Sequence, residues 1–315
     1  MNTNAITREL ERLAPGAVQC NVPLDKYSQW KIGGLADIVV CPRDANELAR
    51  IRAWIHERDL RSITVGATSN LLFSDDGLRA IAIHVGAHFD RVEVDRNSVM
   101  VETGVWMPGL ARRAMQAGLR GLEHTCGIPG TVGGLICMNG GSQRKGVGDV
   151  VMYVESINGV GEVIRRTKSE CDFGYRRSIF QSNDDVIVRA ALKLEVEDDP
   201  RKIRRQMLSI LRDRRSKFPR KQPNCGSVFV SNPAMYEDYG PPGRIIEESG
   251  FKGFRVGNAA VSNLHANFIV NEGGATASDV LSIIETIRRK VVERTGYFMQ
   301  VEVRFVSPVG EIQSI

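Results

Sequence analysis

From Gly127 to Gly141 the chain carries six glycines in fifteen residues, in the run Gly127-Ile128-Pro129-Gly130-Thr131-Val132-Gly133-Gly134 and then Met138-Asn139-Gly140-Gly141. So few side chains leave the backbone open on several sides, and main-chain N–H groups can converge on an anion such as a diphosphate. No Gly-Lys-Ser/Thr follows, which excludes a Walker A loop, and the Gly-x-Gly-x-x-Gly spacing of the dinucleotide fold is absent. A purely structural glycine turn is the alternative reading. A second small-residue loop, Gly66-Ala67-Thr68-Ser69-Asn70, directly follows the strand-like Ile63-Thr64-Val65. Two such loops suit a large nucleotide cofactor better than a lone phosphate.

The 315 residues suffice for two domains, each with its own core. No window approaches eighteen unbroken apolar residues, so no membrane span is expected. Met1 to Leu13 mixes charged and apolar residues without an apolar signal core, and a cytoplasmic location is expected. The six cysteines are scattered with no Cys-x-x-Cys pair, and the five histidines form no ligand pattern. Reduced thiols and no metal site follow. Between Arg201 and Lys221 ten Lys/Arg residues face one acid, Asp213. No aromatics interleave with them, so a solvated helix face leading to an anion site is favoured over a nucleic-acid surface. The net charge of +5 would steer a phosphorylated substrate inward.

Apolar periodicity predicts a helix over Asp44–Arg58, capped by Asp44, and a second over Met107–Ala117. Strands are expected at Ala36–Cys41, Ile63–Val65, Ala80–Val85, Ser98–Glu102, Val150–Ile157, Glu162–Thr167 and Asp185–Val196. This is an α+β pattern rather than strict strand–helix alternation. Asp198-Asp199-Pro200 marks a break, after which a second α+β unit is expected. Its helix, Ser278 to about Arg294, carries the stripe Val280, Ile283, Ile284, Ile287 and Val291 and stops at Gly296. A strand Gln300–Val306 follows, with Val301, Val303 and Phe305 on one face and Gln300, Glu302 and Arg304 on the other.

Four segments could carry chemistry. Cys225-Gly226-Ser227-Val228-Phe229 can present a hydroxyl with little shielding, or hold a turn serine bonded to its own backbone. There is no Gly-x-Ser-x-Gly elbow to suggest a hydrolase. Phe173-Gly174-Tyr175-Arg176 sets a permanent cation beside a ring, suited either to a developing oxyanion or to a structural ion pair. Glu302 and Arg304 share a polar face, as a surface pair or as a cleft wall. His265-Ala266-Asn267-Phe268 places two polar groups before an apolar strand, where packing is the commoner role for histidine.

In order along the chain, Trp30-Lys31-Ile32-Gly33-Gly34, Gly66–Leu72, Gly127–Gly141, Phe173–Arg176, Cys225–Phe229, Ile245-Ile246-Glu247, His265–Asn271 and Glu302-Val303-Arg304 closely resemble the UDP-N-acetylenolpyruvoylglucosamine reductase family, in its shorter type. The likeness covers roughly residues 22–306. It implies an N-terminal helical extension over 1–21, an FAD-binding domain of the vanillyl-alcohol oxidase-like (PCMH) type over 22–198, and an α+β substrate-binding domain over 199–315. It implies NADPH-driven reduction of UDP-N-acetylglucosamine enolpyruvate to UDP-N-acetylmuramate, with hydride delivered from FAD to C3 and a proton to C2. Ser227 matches the family's proton donor, and Arg176 and Glu302 the groups that support the enol intermediate. Gly33, Gly66, Ala67, Thr68, Ser69, Asn70, Ile128, Pro129, Gly130, Thr131, Gly133, Gly134, Asn139 and Gly140 fall at cofactor positions. Tyr175, Lys217, Asn232, Glu247 and His265 fall at substrate positions. A monomer with a UDP-sugar substrate, without membrane or nucleic-acid partners, is implied.

Several positions depart from the family pattern. The final strand usually reads Leu-Glu-Pro-Glu-Val-Arg and here reads Met299-Gln300-Val301-Glu302-Val303-Arg304. Gln300 lies two rises from Glu302 on the same face, roughly 7 Å, and could tune that carboxylate. Gln143-Arg144 stands for Tyr-Gly, Thr68 for a usual glycine, and Val230 for a common lysine. Such changes leave open a paralogous flavoenzyme acting on another nucleotide sugar, or a non-catalytic protein that binds FAD or a UDP-sugar.

Overall fold

The computed structural model describes residues 3–315. The chain forms two compact units, one of Met1–Cys20, Ile38–Ala67 and Ile81–Arg214, the other of Asn21–Asp37, Thr68–Ala80 and Arg215–Ile315. This division differs from the contiguous 22–198 and 199–315 expected. Two early segments cluster with the C-terminal part, and most of the basic helix Pro200–Lys217 clusters with the first unit.

In the first unit the strand Ser62–Val65 runs parallel to residues 81–84, with Val65 opposite His84, in a sheet completed there by residues 38–40 and 18–20. The helix Ala45–Glu57 covers it. Asp44 caps that helix by accepting from the Glu47 N–H at 2.8 Å, and Leu48, Ile51, Trp54 and Ile55 are buried against Ile38, Val40, Ile81 and Ile83. The N-terminal helix Thr3–Leu13 adds Leu10 to this core.

A five-stranded antiparallel sheet follows, in the order Val163–Thr167, Val151–Ile157, Val186–Lys193, Ser98–Glu102, Val92–Asp95. Its inner face meets the helix Met107–Gln116 and the short helix Val132–Cys137, and Val101, Leu110, Val132, Ile136 and Val154 are among its most buried residues. The glycine run therefore enters a helix whose body is fixed in a core.

The second unit is built on the helix Ala277–Thr295. Thr276 and Asp279 form a reciprocal capping box, and Gly296 ends the helix at φ 75°. The expected stripe, Val280 to Val291, is fully buried, each residue stabilising by about 1.5–3 kcal/mol. Asp75 accepts from the N–H groups of Ala277 and Ser278, adding a carboxylate at the positive helix end. Trp30 donates its indole N–H to the Ile269 carbonyl at 2.8 Å, and Asn271 donates to the Trp30 carbonyl at 2.9 Å. These bonds are why residues 21–37 join the C-terminal unit.

The strand expected over Gln300–Val306 is shorter in the structure, and a further strand, Ile312–Ser314, follows it. Regular pairing is confined to Arg304–Val306, parallel to Leu71–Phe73 and antiparallel to Ile312–Ser314. Residues 300–302 pair instead with 228–230, through a bridge between Phe229 and Val301. The strand changes partners midway. Among the described residues no helix is long and apolar enough to cross a membrane.

Candidate active site

In the first unit the two small-residue loops come together. A Cβ on Gly66 would lie 2.9 Å from the Thr131 hydroxyl, and one on Gly133 would lie 1.8 Å from the Thr103 hydroxyl. Glycine is required at both by close approach. Thr131 caps the Val132–Cys137 helix by accepting from the Gly134 N–H at 3.3 Å, and Gly133 donates to the Thr103 carbonyl at 2.9 Å. The N–H groups of Gly66, Ala67, Gly130 and Thr131 have no acceptor among the described residues. Main-chain donors on two abutting loops, with no carboxylate among them, fit the diphosphate of FAD. Gly134 is exposed, and a Cβ there would meet only the Thr131 hydroxyl, at 3.5 Å. Ile128 and exposed Pro129 form the outer edge of the turn, the Ile128 N–H being spent on the Thr125 carbonyl.

Other residues at cofactor positions have evident structural work. A Cβ on Gly140 would lie 2.9 Å from Leu135 Cγ. The Asn139 amide donates to the Gly174 carbonyl at 2.7 Å and accepts from the Gly148 N–H at 2.9 Å. In the second unit Gly33, at φ 137°, would bring a Cβ within 2.9 Å of both Leu24 and Phe73. Thr68 takes the left-handed φ of 53° and donates its hydroxyl to the Tyr27 carbonyl at 2.7 Å. Ser69 follows, and Asn70 donates from its side chain to the Glu302 carbonyl at 3.0 Å.

Ser227 lies half-buried beside buried Cys225, and its hydroxyl makes no hydrogen bond among the described residues. The self-bonded turn serine is therefore not what is seen. The segment is fixed on both sides. Glu302 donates its N–H to the Val228 carbonyl at 2.7 Å, and Val228 donates to the Asn267 carbonyl at 2.9 Å. The Asn267 side chain accepts from the Phe229 N–H at 2.8 Å and returns a bond to the Phe229 carbonyl at 2.9 Å. Asn224 turns the chain into the segment by accepting from the Gly226 N–H at 3.0 Å. Sequence reasoning missed Asn224 and the clamping role of Asn267; an Asn three residues before the serine was the only available signal. The Cys225 thiol is pushed up to about 12 by burial and donates to the Thr68 and Leu71 carbonyls at 3.6 Å. It is a packing residue, not a nucleophile.

Four substrate positions, Lys217, Asn232, Glu247 and His265, fall in the second unit. Burial, first, holds His265 below its ordinary value; Glu247 opposes this, while Lys217 and Lys252 add to it. Its ring meets Phe218 edge-on at 5.3 Å, and Nδ1 accepts from the Asn267 N–H at 3.2 Å. The ring is packed and has one nitrogen engaged. Glu247 pairs with Lys252 at 2.8 Å. Asn232 caps the helix Pro233–Tyr239, accepting from the Ala234 N–H at 3.1 Å.

In the first unit Tyr175 is 62% exposed, and the Arg176 guanidinium lies 5.3 Å from its ring centroid. Arg176 also donates to the Gly141 carbonyl at 3.2 Å. That bond links the expected cation to the end of the glycine run.

Fold and site together define a flavin-binding protein of α+β type, and residues 36–167 match the FAD binding domain family. Residues 218–306 match the UDP-N-acetylenolpyruvoylglucosamine reductase C-terminal domain. The UDP-N-acetylenolpyruvoylglucosamine reductase 1 of Corynebacterium glutamicum is 38% identical over 292 residues, 93% of this chain and 87% of that protein. The reductase of Heliobacterium modesticaldum is 39% identical over 288 residues, 91% and 90% of the two chains. The crystal structure of the Thermus caldophilus reductase superposes with a TM-score of 0.76 at 32% identity, covering 90% of this chain and 97% of that one. The chain belongs to the UDP-N-acetylenolpyruvoylglucosamine reductase family.

Proposed function

We propose that this chain reduces UDP-N-acetylglucosamine enolpyruvate to UDP-N-acetylmuramate, an oxidoreductase step in peptidoglycan precursor synthesis, with NADPH as hydride donor. The observation that carries the reading is the unengaged Ser227 hydroxyl, on a segment pinned to the Glu302 backbone. Bound FAD would supply the hydride chemistry between NADPH and C3 of the enolpyruvyl group. The N–H groups of Gly66, Ala67, Gly130 and Thr131, without acceptors among the described residues, would hold its diphosphate. Ser227 delivers the proton to C2 from its hydroxyl. Arg176, permanently charged, offsets the negative charge that gathers on the substrate's carboxylate region, and Glu302 polarises that region and supports the enol intermediate. Lys217, near His265 and Glu247, supplies a cation for the nucleotide end of the substrate.

In this reading the protein works as a cytoplasmic monomer, without a membrane or nucleic-acid partner. Its product feeds wall growth, and through it cell shape and division. The test is to reduce the bound flavin with NADPH and follow reoxidation without oxygen, with and without the enolpyruvyl sugar nucleotide. Rapid reoxidation only with that substrate is the expected result. A flavin that NADPH reduces but that ignores the substrate would sink the assignment.

A further inference from the structure

Arg176 sits in an unusual place on the backbone. The turn Gly174–Arg177 closes on itself, Gly174 donating to the Arg177 carbonyl at 3.0 Å and Arg177 to the Gly174 carbonyl at 3.2 Å. Within it Arg176 takes φ 54°, a left-handed conformation that residues with a Cβ adopt only when their surroundings over-determine it. Asn139 holds one end of the turn, donating to the Gly174 carbonyl at 2.7 Å, and the Arg176 backbone is tied by Gln181 to a helix end. Gln181, at the end of the short Ile179–Gln181 turn, donates its carboxamide to the Arg176 carbonyl at 3.0 Å and to the Cys137 carbonyl at 2.8 Å. Ser178 donates to the same Cys137 carbonyl at 2.6 Å.

Cys137 is the last residue of the helix that begins at Thr131, the cap within the glycine loop. Gln181 thus ties the backbone of Arg176 to the far end of the helix whose near end carries the diphosphate donors. A two-donor amide bridging two carbonyls fixes distance and orientation together. The guanidinium, bonded to the Gly141 carbonyl, has its reach set by where that backbone is held.

We infer that Gln181 is a positioning residue for the reaction: its carboxamide holds Arg176 in the left-handed conformation that aims the guanidinium at the substrate. This rests on the reading that Arg176 acts on the substrate. Gln181 itself touches neither substrate nor cofactor in this scheme, so its loss acts on the step Arg176 serves and spares hydride uptake from NADPH.

The experiment compares Gln181→Leu, Gln181→Lys and Arg176→Ala as flavin-loaded proteins, measuring the two half-reactions separately. In Gln181→Leu, flavin reduction by NADPH stays at the wild-type rate, while substrate-driven reoxidation slows by about 10²-fold, the effect of a misplaced group. The loss falls on kcat with KM little changed, since the arginine acts on charge that develops in the transition state. Gln181→Lys, whose ammonium can donate to both carbonyls, recovers most of the rate. Combining Gln181→Leu with Arg176→Ala costs no more than Arg176→Ala alone. Should Gln181→Leu fail to retain flavin, Gln181→Glu, of the same shape but without donors at neutral pH, reads the same bonds. Slow reoxidation in Arg176→Ala beside wild-type reoxidation in Gln181→Leu, or in Gln181→Glu where that stands in, would overturn the inference and leave the function intact. So would Leu and Lys variants that lose rate equally. Normal reoxidation in Arg176→Ala would remove Arg176 from the mechanism and this inference with it.

Discussion

The N–H of Glu302 donates to the carbonyl of Val228 at 2.7 Å, so the carboxylate-bearing residue just ahead of the strand Arg304–Val306 and the residue after Ser227 share one rung of backbone pairing. Asn70 holds the two peptides that follow, its side chain donating to the Glu302 carbonyl at 3.0 Å and its own carbonyl accepting from the Arg304 N–H at 3.1 Å. Neither Ser227 nor Glu302 can shift without disturbing the pairing that fixes the other. Ser227→Ala removes the hydroxyl proton while leaving this frame in place. NADPH-driven flavin reduction is expected to persist and substrate-driven reoxidation to fall about 10²–10⁴-fold, as for loss of a general acid. Glu302→Gln should follow the same pattern, since the half-reaction with NADPH needs neither group. Stopped-flow flavin absorbance separates the two steps. Wild-type reoxidation in Ser227→Ala would exclude it as the donor.

Thr68 stands in a left-handed conformation, φ 53°, where the family usually has glycine. A β-branched residue there is strained by roughly 1–2 kcal/mol. Its hydroxyl bond to the Tyr27 carbonyl returns about 1 kcal/mol of that. Thr68→Gly exchanges the strain for the bond and should melt within a few degrees of wild type. Thr68→Val keeps the strain, loses the bond and should be the least stable of the series. Differential scanning calorimetry ranks them, and a valine variant as stable as wild type would contradict this account of the threonine.

Much of the frame was legible because its signals are local. The stripe Val280–Val291 and the cap Asp44 each act within a few residues, and both helices appear where the periodicity placed them. What escaped was non-local or conformational. Trp30 joins Ile269 across 239 positions, a pairing that no window of sequence shows, and it draws residues 21–37 out of the expected N-terminal domain. Residues 300–302 look like one strand with 304–306, yet their partners are two different segments. At Gly33 and Gly140 the sequence cannot separate two demands, because glycine in a loop looks the same whether a ligand or a neighbouring side chain approaches it. Leu24 and Phe73 stand close to where a Cβ on Gly33 would lie, and Leu135 to one on Gly140. The left-handed Arg176 had no signature at all, since arginine has no preference for that conformation.

The departure at Gln143-Arg144 has a physical cost. Both residues have left-handed φ values, 56° and 62°, and the Lys145 N–H closes the turn onto the Ser142 carbonyl at 3.1 Å. Two positive φ values in succession make a type I′ turn, which favours glycine at its second central position. Arg144→Gly restores the family's choice. It should stabilise the protein by about 1 kcal/mol, less the entropy a glycine adds to the unfolded chain, and raise the midpoint by roughly 1–3 °C. Arg144→Ala gains nothing, because alanine keeps the Cβ. A glycine variant that melts below wild type would show that the arginine side chain contributes contacts worth more than the turn strain.

Stability should fall as pH drops below about 6.5, the ordinary imidazole value. Burial holds His84, His124 and His265 below that value, with Lys145 reinforcing the effect at His124 against Asp149 and Glu123. The unfolded chain takes up protons on these rings as pH falls past 6.5, while the folded chain resists. Unfolding then binds protons and is favoured by acid, so the contribution is complete above the unfolded value and shrinks beneath it. Carboxylates respond in a separate window. Glu47, held below the usual carboxylate range chiefly by its bond to Arg43, loses its contribution only below about 4.3. His124 is the clearest case to remove, being only 2% exposed. His124→Leu should lower the midpoint less between pH 7 and pH 5 than wild type does, whatever its stability at pH 7. Thermal melts at half-unit intervals measure the two slopes, and parallel curves would show that His124 does not contribute to the acid response.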